Sequence, residues 1–251
     1  MRVLYQTNRL RPTTATITLG LFVAAWGLLS TSTWASQALP QPFVATYKAN
    51  MSGISITATR ELKHLDNELM ELTFSAKSWL ASINEASTFR AEAERLTPMR
   101  YEYHRKGLGK SRHTVLTFDW NSNQVTDSVS EKQWAIPTPE TTLDQLSYQL
   151  QLQQDLLKQT PELDYQVADG KRLKHYRFRI IGDELLKTAV GTLATTKVER
   201  IQENNKKTTA IWFAKQWQHL IVKIEQREKS GKEYKIELLD ANINGTSVTG
   251  L

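Results

Sequence analysis

Apolar and polar residues alternate along most of the chain, with the two-residue period that is typical of β-strands. In one such segment Tyr176, Phe178 and Ile180 alternate with Arg177 and Arg179. The same alternation predicts further strands at residues 43–49, 54–62, 69–76, 83–93, 99–104, 114–120, 193–201, 208–214, 220–225 and 234–238. Each strand has one apolar and one polar face, as in antiparallel sheets that cover a core with one face.

Short segments rich in Asn, Asp, Ser and Gly separate the predicted strands. They lie at residues 66–67, 107–109, 121–123, 169–170, 204–205 and 230–231. Such residues favour tight turns, and strands joined by tight turns pair as antiparallel neighbours. The sequence therefore predicts a mainly β protein of about eleven or twelve strands, as a single large curved antiparallel sheet or an open β-barrel.

One segment, at about residues 142–159, lacks the alternation and predicts an α-helix. Thr142 and Gln145 have the spacing of a capping box, in which the first and fourth residues satisfy each other's backbone N–H groups. Asp144 suits the positive end of the helix dipole, and Pro161 follows the predicted end.

The predicted helix is apolar on two sides. With 3.6 residues per turn, one side carries Leu143, Leu146, Leu150 and Leu157, and the other carries Tyr148, Leu152 and Leu156. A helix with two apolar sides is typically buried on both. We therefore expect it to lie centrally, within the concave face of the sheet, or to cover the sheet as a lid.

The first 35 residues have a different composition from the rest. Arg2, Arg9 and Arg11 precede an apolar run at 15–29, which is followed by small and polar residues at 30–36. A basic start, a short apolar run and small residues in this order are typical of a secretory signal peptide.

We predict cleavage of this signal peptide after Ala35, with Ala38 as the second choice. Residues 36–251 would then form a single antiparallel β domain with one inserted helix, located in the periplasm. The protein would contact the membrane only transiently, through the signal peptide. An uncleaved N-terminal anchor is the alternative, although the apolar run is shorter than the roughly 20 residues of a membrane-spanning helix.

Charge and cysteine content exclude several classes of function. The chain has 32 Lys and Arg against 26 Asp and Glu, a net charge of +6. Three of these basic residues precede the predicted cleavage point, which leaves 29 basic and 26 acidic residues, a net charge of +3. Such a small charge gives no support for a nucleic-acid partner. The absence of cysteine excludes disulfides, thiol nucleophiles and cysteine-ligated metals.

The usual catalytic motifs are missing, and we predict no catalytic residue, no metal and no cofactor. Ser147 lies outside any G-x-S-x-G motif. His104 and His113 are the one plausible metal pair, since they could approach each other across a hairpin. Asp119 and Asp144 are the polar candidates, but Asp119 precedes a turn and Asp144 a helix, and both positions give an acid a structural role.

Aromatic and leucine residues offer a different candidate site. Residues 211–213 are consecutive apolar residues, so both faces of that strand are apolar. The simplest explanation is packing on both sides, and the alternative is a cavity for an apolar ligand, since ligand pockets are mostly hydrophobic and aromatic. The candidate apolar groove consists of Trp120, Tyr148, Leu152, Leu156 and Trp212.

Several short motifs occur in the order found in a known family. They are residues 43–47, 116–120, 143–147, 176–178, 182–184, Thr188, Gly191 and 211–213. Over about residues 40–240 the chain resembles the exported bacterial family known as domain of unknown function 3108. The resemblance implies an envelope location and a mostly β fold, and it brings no activity and no catalytic residues with it.

Three functions are consistent with these observations. The leading hypothesis is a non-enzymatic binding or carrier module whose partner is a lipid, an acyl chain or another envelope component. The second is a structural or assembly protein that acts through contacts with another envelope protein. The third is a hydrolase of envelope glycans or lipids, for which Asp119, Asp144 and Trp120 would be the residues to test.

Overall fold

A computed structural model describes residues 39–51, 54–65, 68–79, 81–92, 95–107, 111–129, 134–202 and 207–251. The predicted signal peptide lies outside these residues, as do residues 66–67, 108–109 and 204–205 of the predicted turns. Within the described ranges, no helix has both the length and the apolar character needed to cross a bilayer.

The described residues contain fifteen β-strands in one antiparallel sheet. Their bounds are β1 (Phe43–Met51), β2 (Ile54–His64), β3 (Leu69–Lys77), β4 (Ala81–Ala91), β5 (Leu96–Gly107), β6 (Arg112–Asp119), β7 (Gln124–Asp127), β8 (Ala135–Pro137), β9 (Leu163–Asp169), β10 (Arg172–Thr188), β11 (Gly191–Ile201), β12 (Lys207–Ala214), β13 (Leu220–Glu228), β14 (Glu233–Ile243) and β15 (Thr246–Ser247). The prediction of a single large antiparallel sheet is confirmed.

The sheet consists of two meanders joined side by side. Strands β1 to β8 pair in sequence order, and so do β9 to β14, while β1 pairs with β14 and joins the two halves. β8 and β9 are therefore the two ends of the sheet, which does not close into a barrel. The chain between β8 and β9 contains the helix α1 (Ser147–Leu157).

Four of the fifteen strands were not predicted by the alternation. Three of them, β7, β8 and β15, have only four, three and two residues, which is too short for a two-residue period to be recognised. The fourth, β9, does alternate, with Leu163, Tyr165 and Val167 buried. The sequence signal for β9 was therefore present and was missed.

The helix begins five residues later than predicted, at Ser147 instead of Thr142. The expected capping box of Thr142 and Gln145 does not form, because the Thr142 hydroxyl has no hydrogen-bond partner among the described residues and Gln145 donates to the Tyr176 hydroxyl. Asp144 and Ser147 form the box instead. The Asp144 carboxylate accepts from the Ser147 backbone N–H at 2.9 Å, and the Ser147 hydroxyl accepts from the Asp144 backbone N–H at 2.8 Å.

The chain before the helix covers one end of the sheet. Leu143 forms a parallel bridge with Val167 of β9. Its backbone N–H donates to the Gln166 carbonyl, and its carbonyl accepts from the Ala168 N–H, both at 2.8 Å. These bonds satisfy backbone groups on the outer edge of β9 that would otherwise remain unpaired.

Helix α1 is buried on nearly every side, as the two-sided apolar pattern predicted. Leu150 and Leu152 are fully buried, and Leu156 is almost so, whereas Leu157 is exposed. Strands from both meanders contact this one helix through hydrogen bonds from Leu96 in β5 and Tyr165 in β9. Strands that are so far apart in the sheet can reach one helix only if the sheet curves around it.

Leu152 and Leu157 provide a matched pair for testing this burial. Leu152→Ala should lower the free energy of unfolding by about 2–5 kcal/mol, because it leaves a cavity in a packed interior. Leu157→Ala should change it by less than about 0.5 kcal/mol, since that side chain is exposed. Urea unfolding followed by tryptophan fluorescence measures both, and equal effects would contradict the observed orientation of the helix.

Candidate functional site

A row of side chains crosses the concave face of the first meander. The strand register pairs its members in succession: Ala45, Arg60, Phe74, Glu85, Tyr103 and Thr114. Neighbouring strands are about 4.8 Å apart, so the backbones of Arg60 and Glu85 are about 10 Å apart, with Phe74 between them. Two oppositely charged residues thus face the interior without touching.

Arg60 is buried, with only 4% of its surface exposed. Its Nη1 donates a hydrogen bond of 3.3 Å to Oε1 of Gln149 on helix α1, and its guanidinium lies 6.0 Å from the centre of the Phe43 ring. Nε and Nη2 are buried and have no hydrogen-bond partner among the described residues. Burial lowers the pKa of Arg60, yet an arginine side chain stays protonated in proteins. The interior therefore holds an incompletely satisfied positive charge.

Glu85 has a different environment on the same face. The Tyr101 hydroxyl donates to its carboxylate at 2.7 Å. Burial raises the pKa of Glu85, and the nearby Asp144 carboxyl adds to this effect, while the hydrogen bond from Tyr101 and the positive charge of Arg60 oppose it. The neutral carboxyl is consequently favoured more than in an exposed glutamate.

Two cavities lie between this row and helix α1, and both have Glu85 and Gln149 in their walls. The larger, of about 280 Å³, is polar and includes Tyr101, Tyr103, Arg112, Thr114, Gln145, Ala168, Asp169 and Gly170. The smaller, of about 210 Å³, is largely apolar and includes Tyr47, Arg60, Phe74, Leu146, Ile221, Ile224 and Ile236. The larger cavity is close to the lower limit of small-molecule sites, roughly 300–1,000 Å³, and the smaller one lies below it.

Of the two acids considered from sequence, Asp144 is fully buried. Its Oδ1 accepts from the backbone N–H groups of Leu146 and Ser147, and its Oδ2 accepts from the Ser87 hydroxyl at 2.6 Å. Burial raises the pKa of Asp144, although these hydrogen bonds oppose the shift. The side chain fixes the start of the helix and attaches it to β4.

Asp119, in contrast, is exposed and organises a turn. Its carboxylate accepts from the backbone N–H groups of Asn121 and Ser122, and from the Ser122 hydroxyl at 2.7 Å. The Ser122 hydroxyl and backbone and the Asn121 backbone lower the pKa of Asp119. The bonds made by Asp119 and Asp144 favour structural roles over acid–base chemistry.

Three of the five residues of the predicted apolar groove lie on helix α1, whereas Trp120 follows β6 and Trp212 lies on β12. Leu152 and Leu156 are buried on the helix, where Tyr148 packs edge-on against Tyr176 with ring centres 5.1 Å apart. Trp120 stacks on Phe118 and donates to a backbone carbonyl. None of these five residues, including Trp212, lines either cavity. Their role in ligand binding stays a prediction.

Trp212 accounts for the apolar residues on both faces of β12. Its ring lies between Lys197, at 4.9 Å, and Lys223, at 4.2 Å, and both lysines are its partners in the strand register. Its Nε1 donates to Glu184. A tryptophan beside two ammonium groups is stabilised by cation–π interactions, so this buried position has charged neighbours on both adjacent strands.

His104 and His113 do approach each other across the hairpin of β5 and β6. They are register partners, and their ring centres are 5.0 Å apart. His113 also bonds Glu102 at 2.9 Å. Nowhere in the described ranges do three or more His, Cys, Asp or Glu side chains gather as metal ligands.

The sequence contained a signal for Arg60 and Glu85 that was missed. Arg60 is in phase with Ala58 and Leu62, which face the core, and Glu85 is in phase with Ser87 and Phe89. A charged residue at an apolar phase of a strand is unusual, because burial of a charge is costly. Such residues are candidates for function in any strand that alternates clearly.

The fold and site define a class of protein in which an open antiparallel sheet surrounds a buried helix and leaves an interior cavity. The chain belongs to the family described as "Protein of unknown function (DUF3108)", whose model matches residues 44–239. This match confirms the resemblance noted from the sequence motifs. A comparison with curated proteins finds no match.

A solved structure shares the fold at low sequence identity. A β-barrel-like protein of domain of unknown function DUF1849 from Brucella abortus is 8% identical, with a TM-score of 0.56. The alignment covers 83% of this chain and all of that one. MucB from Pseudomonas aeruginosa, solved with MucA, is 8% identical with a TM-score of 0.36; the alignment covers 81% of this chain and 52% of that chain. The first likeness shows the fold alone.

The buried Asp144 carboxyl provides a test of the helix start. Asp144→Ala should be less stable than Asp144→Asn by about 1–3 kcal/mol, because alanine leaves two buried backbone N–H groups without an acceptor. The comparison can be made by urea unfolding at neutral pH. The Asp144→Asn variant retains the Oδ1 oxygen that accepts from these two N–H groups, and its side chain cannot ionise.

The same variants give a pH dependence of known sign. Because burial raises the pKa of Asp144 above its value in the unfolded chain, the wild type loses stability as the pH rises above about 4. Asp144→Asn does not have this loss. Its free energy of unfolding relative to wild type should therefore increase between about pH 4 and pH 7, and a constant difference would argue against the raised pKa.

Proposed function

We propose that this protein is a non-enzymatic binding protein of the bacterial cell envelope, which holds a lipid or acyl chain inside its sheet. The observation that carries the proposal is the smaller cavity, whose walls include Phe74, Ile221, Ile224 and Ile236. An apolar cavity with a few polar groups at defined positions is the usual form of a small-molecule site. The polar cavity beside it offers room for a headgroup.

The proposed envelope location is supported by the N-terminal sequence. Its basic residues, apolar run and small residues have the order that directs secretion. A periplasmic protein is surrounded by membranes on both sides, so lipids and acyl chains are available ligands.

An assembly protein that binds through a sheet edge is the alternative. Strand addition requires an unpaired edge of useful length. Leu143 already pairs with the outer edge of β9, and β8 at the other end has three residues. Residues 179–188 of β10 extend beyond its pairing with β9 and form a longer edge for a partner strand. The interior is therefore favoured by its cavity and not by a lack of sheet edges, and a protein that delivers or receives the ligand is compatible with it.

Native mass spectrometry of protein purified from the periplasm without detergent tests the proposal. We expect an adduct that is released on denaturation and that lipid extraction identifies as a lipid or acyl compound. A mass that matches the polypeptide alone at every level of activation would count against a carrier. The same spectrum reports whether cleavage follows Ala35.

A cavity-filling variant locates the ligand. Ile224→Phe places a larger side chain in the wall of the apolar cavity, so it should lower the fraction of protein with bound lipid several-fold. Ile180→Phe is the matched control, because Ile180 is exposed on β10. Equal lipid occupancy in the two variants would show that the ligand lies elsewhere.

A further inference from the structure

The buried guanidinium of Arg60 is the most unusual polar group of the interior. A buried arginine is normally paired with a carboxylate and bonded through most of its five N–H groups. In the described residues Arg60 forms no ion pair, and its one side-chain hydrogen bond goes to the neutral amide of Gln149. Nε and Nη2 have no partner, although the side chain lines the apolar cavity. Among the described residues, the charge thus has no carboxylate bonded to it.

Among the described residues, no titratable group forms a hydrogen bond with the Arg60 guanidinium. Glu85 lies on the second strand away in the wall of the same cavity, where burial raises its pKa and the positive charge of Arg60 opposes that rise. The Asp144 carboxylate accepts hydrogen bonds from the Ser87 hydroxyl and the Ser147 backbone N–H, and none from Arg60. Burial raises the pKa of Tyr47 to about 12 and that of Tyr148 as well, so both stay neutral. An anion entering the cavity would therefore meet a positive site.

This geometry points to a single-chain anionic amphiphile as the ligand: Arg60 binds its carboxylate or phosphate group, and Phe74, Ile224 and the neighbouring isoleucines enclose its hydrocarbon chain. The inference rests on the proposed function and specifies the chemistry of the ligand. The planar guanidinium has two free N–H-bearing nitrogens, which match the two oxygens of such a group. The anionic group of the ligand then supplies the hydrogen-bond acceptors and the negative charge that Arg60 lacks in the protein alone.

Wild-type protein freed of bound lipid provides the first test. Isothermal titration compares dodecanoate and dodecyl phosphate with 1-dodecanol, dodecyltrimethylammonium and inorganic phosphate. We expect both anionic amphiphiles to bind roughly tenfold or more tightly than the alcohol, because hydrogen bonds to a buried charge are strong. The cationic amphiphile and inorganic phosphate should bind more weakly than either.

Substitution of Arg60 provides the second test. Arg60→Met keeps a long side chain and removes the charge, so it should weaken dodecanoate binding roughly tenfold or more and leave dodecanol binding unchanged. It should not lower the melting temperature, since the removed charge is buried and incompletely paired. Arg179→Met, at an exposed position on β10, is the control and should leave all affinities unchanged.

The outcomes separate this inference from the proposed function. Equal affinities of wild type for dodecanoate and dodecanol would overturn the anionic ligand and leave an apolar carrier. Binding of inorganic phosphate as tight as that of dodecyl phosphate would overturn the amphiphile and indicate a free anion. If no amphiphile binds, the proposed function itself fails. The comparison of ligands needs only the wild type, so it decides even if Arg60→Met does not fold.

Discussion

A helix that is buried on nearly every side needs hydrogen-bond partners for most of the polar groups that it brings into the interior. In α1, Gln151 accepts from the backbone of Leu96, Gln153 donates to the backbone of Gln218, and Asp155 accepts from the Tyr165 hydroxyl. These contacts fix the rotation of the helix within the sheet. They thereby determine which helix residues face Arg60, and so where the two cavities lie.

The helix shows how far local sequence patterns reach. Its two apolar sides correctly predicted a buried position, because that pattern depends only on the spacing of apolar residues within the segment. Its start was predicted wrongly, because Thr142, Asp144 and Ser147 are all acceptable caps and only the tertiary structure chooses among them. The nearby Ser87 hydroxyl and the pairing of Leu143 with β9 favour Asp144, and neither contact is visible in a local sequence window.

The candidate site shows the same limit at longer range. Alternation predicted most of the strands, but Arg60 and Glu85 were not recognised as interior residues, and alternation could not show that the register aligns them in one row. Trp212 illustrates the reverse case. It resembles a cavity residue in sequence, yet two lysines from neighbouring strands enclose its ring. The role of a side chain in this sheet depends on residues of other strands, and the order and register of strand pairing determine which residues these are.

The β1–β14 pairing is the seam that joins the two meanders, and it affects how the protein folds during synthesis. Phe43 of β1 pairs with Ile243 of β14. This edge of β1 therefore has no partner strand until almost the entire chain has been synthesised. Strands that are far apart in sequence pair slowly, and until they pair, the exposed strand edge can cause aggregation. The apolar cavity has walls from β2 and β3 on one side of the seam and from β13 and β14 on the other. The protein therefore has no place for a ligand until this last pairing is complete.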